Sequence, residues 1–212
     1  NSAMFNNAII YKFSYHQFRI RFMCSIFDSQ VFNANLFFPR QDTALTPGNC
    51  DDIQVEVEQD INVHVRRHPS TDARFSLLFF HGNGEIVSDY DNLAGHFNAM
   101  GAELIVADFR GYGRSTGLPT LRNSLEDAHK IFDHLKSTGK FKEKVCVMGR
   151  SLGSEPTLEL CTTRSDVAGC ILESGYADPI PLVERRGLKI DKTTPEEDAL
   201  FNNSEKIRLV KC

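Results

Sequence analysis

The stretch GRSLGS, from Gly149 to Ser154, places a serine in a setting typical of a nucleophile. It contains the spacing G-x-S-x-G, with Ser151 at its centre. The apolar run KVCVMG ends at Gly149, the first glycine of this motif. Glycines two residues before and after the serine permit a tight strand-to-helix turn that lifts Oγ out of a sheet, where bulkier residues would collide. The pattern therefore predicts Ser151 as a catalytic nucleophile. The alternative is a glycine-bounded turn in which the serine only caps a helix.

A second glycine-rich stretch, HGNGE, begins at His81 and follows another apolar run. Acyl transfer builds negative charge on the carbonyl oxygen of the substrate, and rigidly held backbone N–H groups can stabilise that charge. We assign one donor to the N–H of Asn83 and the other to the N–H of Leu152, and we place Gly82 and Gly84 beside the substrate. A phosphate loop is the alternative, but G-K-[ST] and G-x-G-x-x-G are both missing. His81 is expected to shape the turn by hydrogen bonding.

A serine nucleophile needs a histidine, and none follows Ser151, because the last histidine of the chain is His134. The earlier histidines show no spacing that points to Ser151, and we interpret them as surface or packing residues. Glu173 is the one internal candidate for a triad acid, with a structural pairing to an arginine as the favoured alternative. His64 and His68 would share a face only on a helix, whereas their segment alternates like a strand, so no metal site is predicted.

Other polar and aromatic residues follow the predicted strands. Tyr112 and Tyr176 are expected to line the substrate pocket. Asp108, with Arg110 and Arg114 close to it in sequence, is expected to fix a loop through an ion pair, and binding of an anionic substrate is the alternative.

These motifs lie within an alternation of strand and helix signals that begins near residue 50. The runs IQVEVE and INVHVRRH alternate with period two and predict an antiparallel pair. Continuous apolar runs predict buried strands over 76–81, 102–108, 144–149 and 168–174, and helices are predicted over 86–100, over 121–138 and from Leu152 onward. The pattern predicts an α/β fold with a mostly parallel central sheet flanked by helices. Ligands of such sheets bind at the carboxyl ends of the strands, where both glycine-rich stretches lie.

Composition excludes several classes of protein. The chain has 212 residues, of which 41% are apolar and 25% charged, and its net charge of -4 leaves no basic footprint for nucleic acid. Its 6 cysteines include no C-x-x-C pair, which predicts a reduced, cytoplasmic protein without disulfides. Residues 1–22 form either an extension of the domain or an artefact of where the reading frame opens. Their longest apolar run is too short for a signal peptide, and no membrane span is expected.

The chain resembles the α/β-hydrolase superfamily, and within it the serine hydrolases that include Bem46-like proteins and relatives of the S33 serine peptidases. The residues that carry the resemblance are FFHGNGE (79–85), DFRGYGRSTG (108–117), GRSLGS (149–154) and LESGYAD (172–178). The resemblance implies an α/β-hydrolase domain over 23–212 with Ser151 as nucleophile, a cap segment at about 176–204 and no cofactor.

The family order of serine, acid and then histidine is not completed within this chain. Because SEKIRLVKC resembles the helix that leads into the seventh strand, we expect the acid, the histidine and the last two strands of the family to lie beyond Cys212. On this interpretation the full-length protein cleaves an ester, thioester or amide of a small-molecule acyl substrate, and the chain alone is inactive. A non-catalytic relative that serves as a binding or scaffold module is the alternative. The sequence indicates no oligomeric state.

Overall fold

A six-stranded sheet forms the centre of the computed structural model, which describes residues 25–190 and 193–212. Predictions for residues 1–22 fall outside the described residues. The strands are β1 (Asp51–Glu58), β2 (Ile61–Arg67), β3 (Phe75–Phe80), β4 (Ala102–Ala107), β5 (Val145–Arg150) and β6 (Gly169–Glu173). They lie in the order β1-β2-β4-β3-β5-β6, in which β1 and β2 pair antiparallel and the remaining four strands are mutually parallel. The predicted α/β fold with a mostly parallel sheet is confirmed.

Burial of the strands follows their position in the sheet. All of β4 (AELIVA) and nearly all of β3 (FSLLFF) are buried, because both strands have neighbours on either side and helices above and below. In the edge strand β1, residues that are at least partly buried alternate with exposed ones, as expected where only one face is covered. The predicted patterns of β1, β3 and β4 are therefore confirmed. The alternation predicted for β2 is wrong, since four consecutive residues, Val63–Arg66, are buried. The buried strand predicted over 168–174 is also wrong, because β6 lies at the sheet edge and its residues are exposed or only partly buried.

Seven helices accompany the sheet within the described ranges: α1 (Gln30–Leu36), α2 (Ala94–Ala99), α3 (Leu121–Ser137), α4 (Ser154–Thr163), α5 (Ile180–Glu184), α6 (Pro195–Phe201) and α7 (Asn203–Lys206). The longest, α3, begins at a capping box in which Thr120 and Asn123 satisfy each other's backbone N–H groups. Its predicted apolar face is buried as expected, at Leu121, Leu125, Ala128, Phe132 and Leu135. The segment expected as a cap contains α5, α6 and the start of α7.

The single helix predicted over 86–100 is wrong, since the chain forms a 3₁₀ turn at Val87–Tyr90 and then the short helix α2. Residues 91–93 form a turn between these two elements, and acidic side chains bind the first N–H groups of the segment. The Ile86 N–H donates to the Asp89 carboxylate at 3.1 Å, and the Val87 N–H donates to Asp108 Oδ1 at 3.0 Å. The predicted end of this region at Gly101 is confirmed, with φ of 85° there.

Candidate active site

The backbone of Ser151 adopts a conformation that is rare for a residue with a side chain. Its φ is 50°, in the left-handed region, and it stands between the end of β5 and a 3₁₀ turn at Ser151–Gly153 that leads into α4. The Ser154 hydroxyl closes this turn by donating to the Ser151 carbonyl oxygen at 2.6 Å. Ser151 is half-buried, so its side chain reaches solvent at the carboxyl end of the parallel strands.

The glycines on either side of Ser151 are required by close backbone packing. A Cβ on Gly149 would lie 2.1 Å from the Gly153 carbonyl oxygen, and a Cβ on Gly153 would lie 2.0 Å from the Phe80 carbonyl oxygen. No side chain fits at either distance. The strand-to-helix turn at Ser151–Gly153, called the elbow below, therefore packs directly against the end of β3, where the HGNGE stretch begins.

Asn83 anchors the HGNGE loop through its side chain. Its Nδ2 donates to the Leu36 carbonyl oxygen at 2.6 Å, and its Oδ1 accepts from the Phe38 N–H at 2.9 Å and from the Tyr112 hydroxyl at 2.6 Å. Two separate segments, 36–38 and the loop that contains Tyr112, thus hold one side chain through three hydrogen bonds. This leaves the backbone N–H of Asn83 without a hydrogen-bond acceptor among the described residues.

Glu85 joins this loop to the elbow. Its Oε2 accepts from the Gly82 N–H at 2.7 Å and from the Tyr90 hydroxyl at 2.6 Å, while its Oε1 lies 2.7 Å from the guanidinium of Arg150. Arg150 directly precedes Ser151. One carboxylate therefore connects both glycine-rich stretches, a role that nothing in its sequence position indicated.

A cavity of about 280 Å³ opens beside Ser151 and has comparable polar and apolar character. It is lined by Leu36, Asn83, Ser151, Leu152, Tyr176, Leu182, Arg185 and Arg186. Leu152, as the second residue of the helical turn, has its N–H at the end of a helix where no intrahelical acceptor exists. The two N–H groups assigned from sequence thus belong to residues of one cavity wall that also contains Ser151.

Three residues expected beside the substrate lie away from the cavity lining. Tyr112 is fully buried behind the loop, where its hydroxyl bonds Asn83. Gly82 and Gly84 shape the loop instead: the Gly82 N–H bonds Glu85, and Gly84 turns the chain with φ of 76°. Tyr176 does line the cavity, as expected, and Arg185 and Arg186 add positive charge that the sequence interpretation missed.

The buried carboxylate of Asp108 contacts two histidines behind the loop. Its Oδ1 accepts from His81 Nε2 at 3.1 Å and its Oδ2 accepts from His64 Nδ1 at 3.2 Å. Burial alone would raise the pKa of Asp108, but hydrogen bonds from these two histidines lower it below its ordinary value. The Nδ1 of His81 lies 2.9 Å from the Gly82 carbonyl oxygen, so the expectation that His81 shapes the turn is confirmed.

The charged residues near Asp108 have structural partners, although not those expected. Arg110 forms a bidentate pair with Asp127, at 2.8 Å for both bonds, and Arg114 contacts Asp52 at 2.6 Å. Asp108 pairs with histidines and with neither arginine. The loop-fixing interpretation of the two arginines therefore holds, with different acids.

No described histidine hydrogen-bonds Ser151 Oγ. His64 and His81 are committed to Asp108, and His129 lies 3.5 Å from Glu159 on α4. Glu173, the internal candidate for a triad acid, is exposed and lies 3.5 Å from Arg150, in keeping with the favoured structural alternative. Ser151 thus has a left-handed backbone and lines a cavity, but no base contacts it among the residues that the structure describes.

A buried glutamate behind the cavity was not found from the sequence. Glu155 on α4 is completely buried and accepts from Asn203 Nδ2 at 3.0 Å, and Asn203 also donates to the Tyr176 carbonyl oxygen. Burial raises the pKa of Glu155 to about 8, with Lys206 opposing that shift. Glu155 therefore connects α4, α7 and the Tyr176 wall of the cavity. In the sequence, Glu155 stands in the stretch SEPTLEL, and nothing in that stretch indicated this role.

The family profile described as serine aminopeptidase, S33, matches residues 71–193, more than half of the chain. The chain belongs to this family of α/β hydrolases. The match includes the HGNGE loop and the elbow at Ser151, and it agrees with the superfamily that the sequence motifs indicated.

Two relatives of this α/β hydrolase are named for the domain that they contain. It is 35% identical over 151 residues to the α/β-hydrolase domain-containing protein aho-3 of Caenorhabditis elegans, covering 68% of this chain and 42% of that protein. It is 34% identical over 115 residues to the α/β-hydrolase domain-containing protein 17C of Mus musculus, covering 52% of this chain and 34% of that protein. The chain spans less than half the length of either relative.

Solved structures show the same fold at low sequence identity. The Pyrococcus furiosus esterase Pf2001 superimposes with a TM-score of 0.60 and 16% identity, covering 83% of this chain and 73% of the esterase. DcsB, in a complex with its substrate analogue, gives a TM-score of 0.53 and 17% identity, covering 61% and 47% of the two chains. Within the described ranges, no helix has both the length and the apolar character needed to cross a bilayer.

Proposed function

We propose that the full-length protein is a serine hydrolase that cleaves an ester, thioester or amide of a small-molecule acyl substrate through an acyl-enzyme on Ser151. The observation that carries the proposal is the left-handed φ of 50° at Ser151, beside a cavity whose wall also includes Asn83 and Leu152. A serine is held in this unfavourable conformation only when the surrounding packing enforces it, and such strain is concentrated at functional sites.

The proposed reaction has two stages, formation and hydrolysis of an acyl-enzyme on Ser151. A histidine beyond residue 212 removes the proton of Ser151 as Oγ attacks the substrate carbonyl carbon, and the same histidine returns that proton to the leaving group. The N–H groups of Asn83 and Leu152 stabilise the oxyanion that forms. Water then attacks the acyl-enzyme, with the histidine again as base, and releases the acid and the free serine.

Ser151→Ala in the full-length protein is expected to lower kcat by about 10⁴-fold or more, because no other described group supplies the nucleophile. A fluorophosphonate probe should label the wild-type protein and fail to label this variant, since labelling requires an activated serine. The measurements are hydrolysis of activated esters and gel or mass-spectrometric detection of the label. Ser165→Ala, at an exposed serine outside the cavity, is the matched control and should behave as wild type.

A non-catalytic binding module is the second candidate, and it is favoured by the lack of contact between any described histidine and Ser151. Absence of labelling in folded wild-type protein would support it and would overturn the hydrolase proposal. Equal labelling of wild type and Ser151→Ala would also contradict the assignment of the nucleophile.

A further inference from the structure

Three residues from distant parts of the sequence meet at the antiparallel side of the sheet. Cys50 precedes β1, His68 follows β2, and Asp91 follows the 3₁₀ turn before α2. The Cys50 Sγ lies 3.1 Å from His68 Nδ1, and His68 Nε2 lies 3.6 Å from Asp91 Oδ1. One ligand atom from each of the three lies within 4.8 Å of the other two. Ser151 follows β5, so this cluster is separate from the candidate active site in the strand order.

Two atoms of this cluster are buried without a hydrogen-bond partner among the described residues. They are His68 Nε2 and Asp91 Oδ1, and the side chain of His68 is only 4% exposed. Native proteins rarely leave such atoms unpaired, because burial removes their bonds to water. Their separation of 3.6 Å is too long for a hydrogen bond but is close to the spacing of two ligands around one small cation.

The contacts of Asp91 orient its carboxylate so that Oδ1 could bind a cation together with His68. The Arg66 guanidinium donates to Asp91 Oδ2 at 2.8 Å and leaves Oδ1 directed at His68. The backbone N–H of His68 bonds the Leu104 carbonyl oxygen at 2.9 Å and so fixes the histidine to β4. Supporting contacts of this kind hold the ligands of metal sites in place.

A cysteine beside a histidine and a carboxylate also resembles a nucleophile with its base, but the electrostatics oppose that alternative. Burial, followed by the negative charge of Asp91, raises the pKa of the Cys50 thiol, with Asp52 and Asp51 adding to the effect and Arg66 opposing it. A free thiolate is therefore disfavoured. The same negative charges attract a cation, which stabilises the thiolate as a ligand.

We propose that Cys50, His68 and Asp91 bind a single zinc ion. The ion takes Sγ of Cys50, Nε2 of His68 and Oδ1 of Asp91, and a water at the half-exposed Cys50 side completes a tetrahedral shell. As the zinc–sulfur bond forms, the thiol releases one proton to solvent. Cys50 is in the loop before β1 and must rotate from Nδ1 toward the ion. The ion would join this loop, the end of β2 and the turn before α2.

Cobalt(II) alone serves as the probe in the reduced, chelator-treated full-length protein, because a thiolate ligand gives a charge-transfer absorption in the near ultraviolet. Wild type should bind one Co²⁺ per chain at this site with that absorption, and added Zn²⁺ should remove it by displacement. Cys50→Ser should lose the absorption. Asp91→Asn should weaken Co²⁺ binding by at least about tenfold, the loss that follows removal of even an outer-shell partner.

The control is Cys170→Ser, which removes a half-buried thiol of β6 outside the cluster and should keep the absorption. Circular dichroism checks that each variant is folded, and Zn²⁺ should raise the Tm of wild type but not of Cys50→Ser. A wild-type protein without the absorption, or a folded Cys50→Ser variant that retains it, would overturn the proposal.

Discussion

Gly153 shows how much of the elbow depends on the absence of one side chain. Gly153→Ala would place Cβ 2.0 Å from the Phe80 carbonyl oxygen, and backbone cannot yield as a side chain can. We expect this variant to lose about 1–3 kcal/mol or more of unfolding free energy, or to fail to fold. Urea unfolding monitored by circular dichroism measures the change.

Gly95→Ala is the matched control for this prediction. Gly95 lies within α2, and a Cβ there would meet nothing within 4 Å. Alanine should stabilise the protein there by about 0.5–1 kcal/mol through helix propensity. Equal stability of the two alanine variants would show that the contact at Gly153 is not a constraint.

The residues of the candidate site differ in how far the sequence could predict them. Ser151, Asn83 and Leu152 belong to short motifs whose glycine spacing indicates backbone geometry, so local pattern sufficed for them. Tyr112 follows a glycine in a similar motif, yet tertiary packing buries it behind Asn83. Arg185 reaches the cavity only because α5 folds back over Ser151, which depends on contacts that no local pattern contains.

At the level of elements, Glu155 makes the contact between α4 and α7 sensitive to pH. Burial raises its pKa to about 8 from an ordinary value of 4.5, so the folded state retains a proton that the unfolded state releases. The stabilising contribution is complete below about pH 4.5 and is lost as pH rises through 8. Relative to Glu155→Gln, wild type should lose a few kcal/mol across that range, measured by urea unfolding at each pH.

Glu159, one helical turn further along α4, should give the opposite slope. Burial alone would raise its pKa, but the His129 hydrogen bond and the charge of Lys206 lower it to about 2. Its contribution is present above pH 4.5 and is lost as pH falls toward 2. If Glu155→Gln and Glu159→Gln shift the pH profile in the same direction, the assignment of the buried proton to Glu155 is wrong.

Element type was predictable wherever apolar periodicity was long, as in α3, and less so where polar side chains compete with the backbone. The segment 86–100 has helical spacing, but SDYDN lies within it. Asp89 and the distant Asp108 take N–H groups from the start of the expected helix. A pattern of apolar residues cannot show that a buried carboxylate from the loop after β4 will approach.

At the scale of the whole molecule, β6 is the last strand of the sheet and pairs only with β5 among the described residues. Its Ile171 is 44% exposed, and an open apolar edge favours strand pairing between chains. We expect the 212-residue chain to self-associate and Ile171→Lys to shift it toward monomer, as measured by sedimentation velocity.

Leu45→Lys is the control, because Leu45 is 92% exposed and lies outside the sheet. Lysine there adds the same charge without touching an edge strand, so it should leave association unchanged. A monodisperse monomer of the unmodified chain, or equal effects of both lysines, would contradict a role for the β6 edge.

The overall topology followed from the rhythm of strands and helices, since right-handed crossovers leave few arrangements for consecutive parallel strands. The packing of Phe27 against Phe201, with ring centroids 4.3 Å apart, could not be predicted. It joins the region before β1 to α6, residues far apart in the sequence, and only the completed sheet brings them together.

The left-handed backbone of Ser151 also has an evolutionary consequence. Glycine would adopt a φ of 50° with little strain, so a population selected for folding alone would gain by replacing this serine. If Ser151 is the proposed nucleophile, selection for its hydroxyl should oppose this replacement, and the frequency of glycine at this position across related sequences would measure that selection. A lineage that abandoned the chemistry should be recognised by glycine at this position before any other part of the elbow changes.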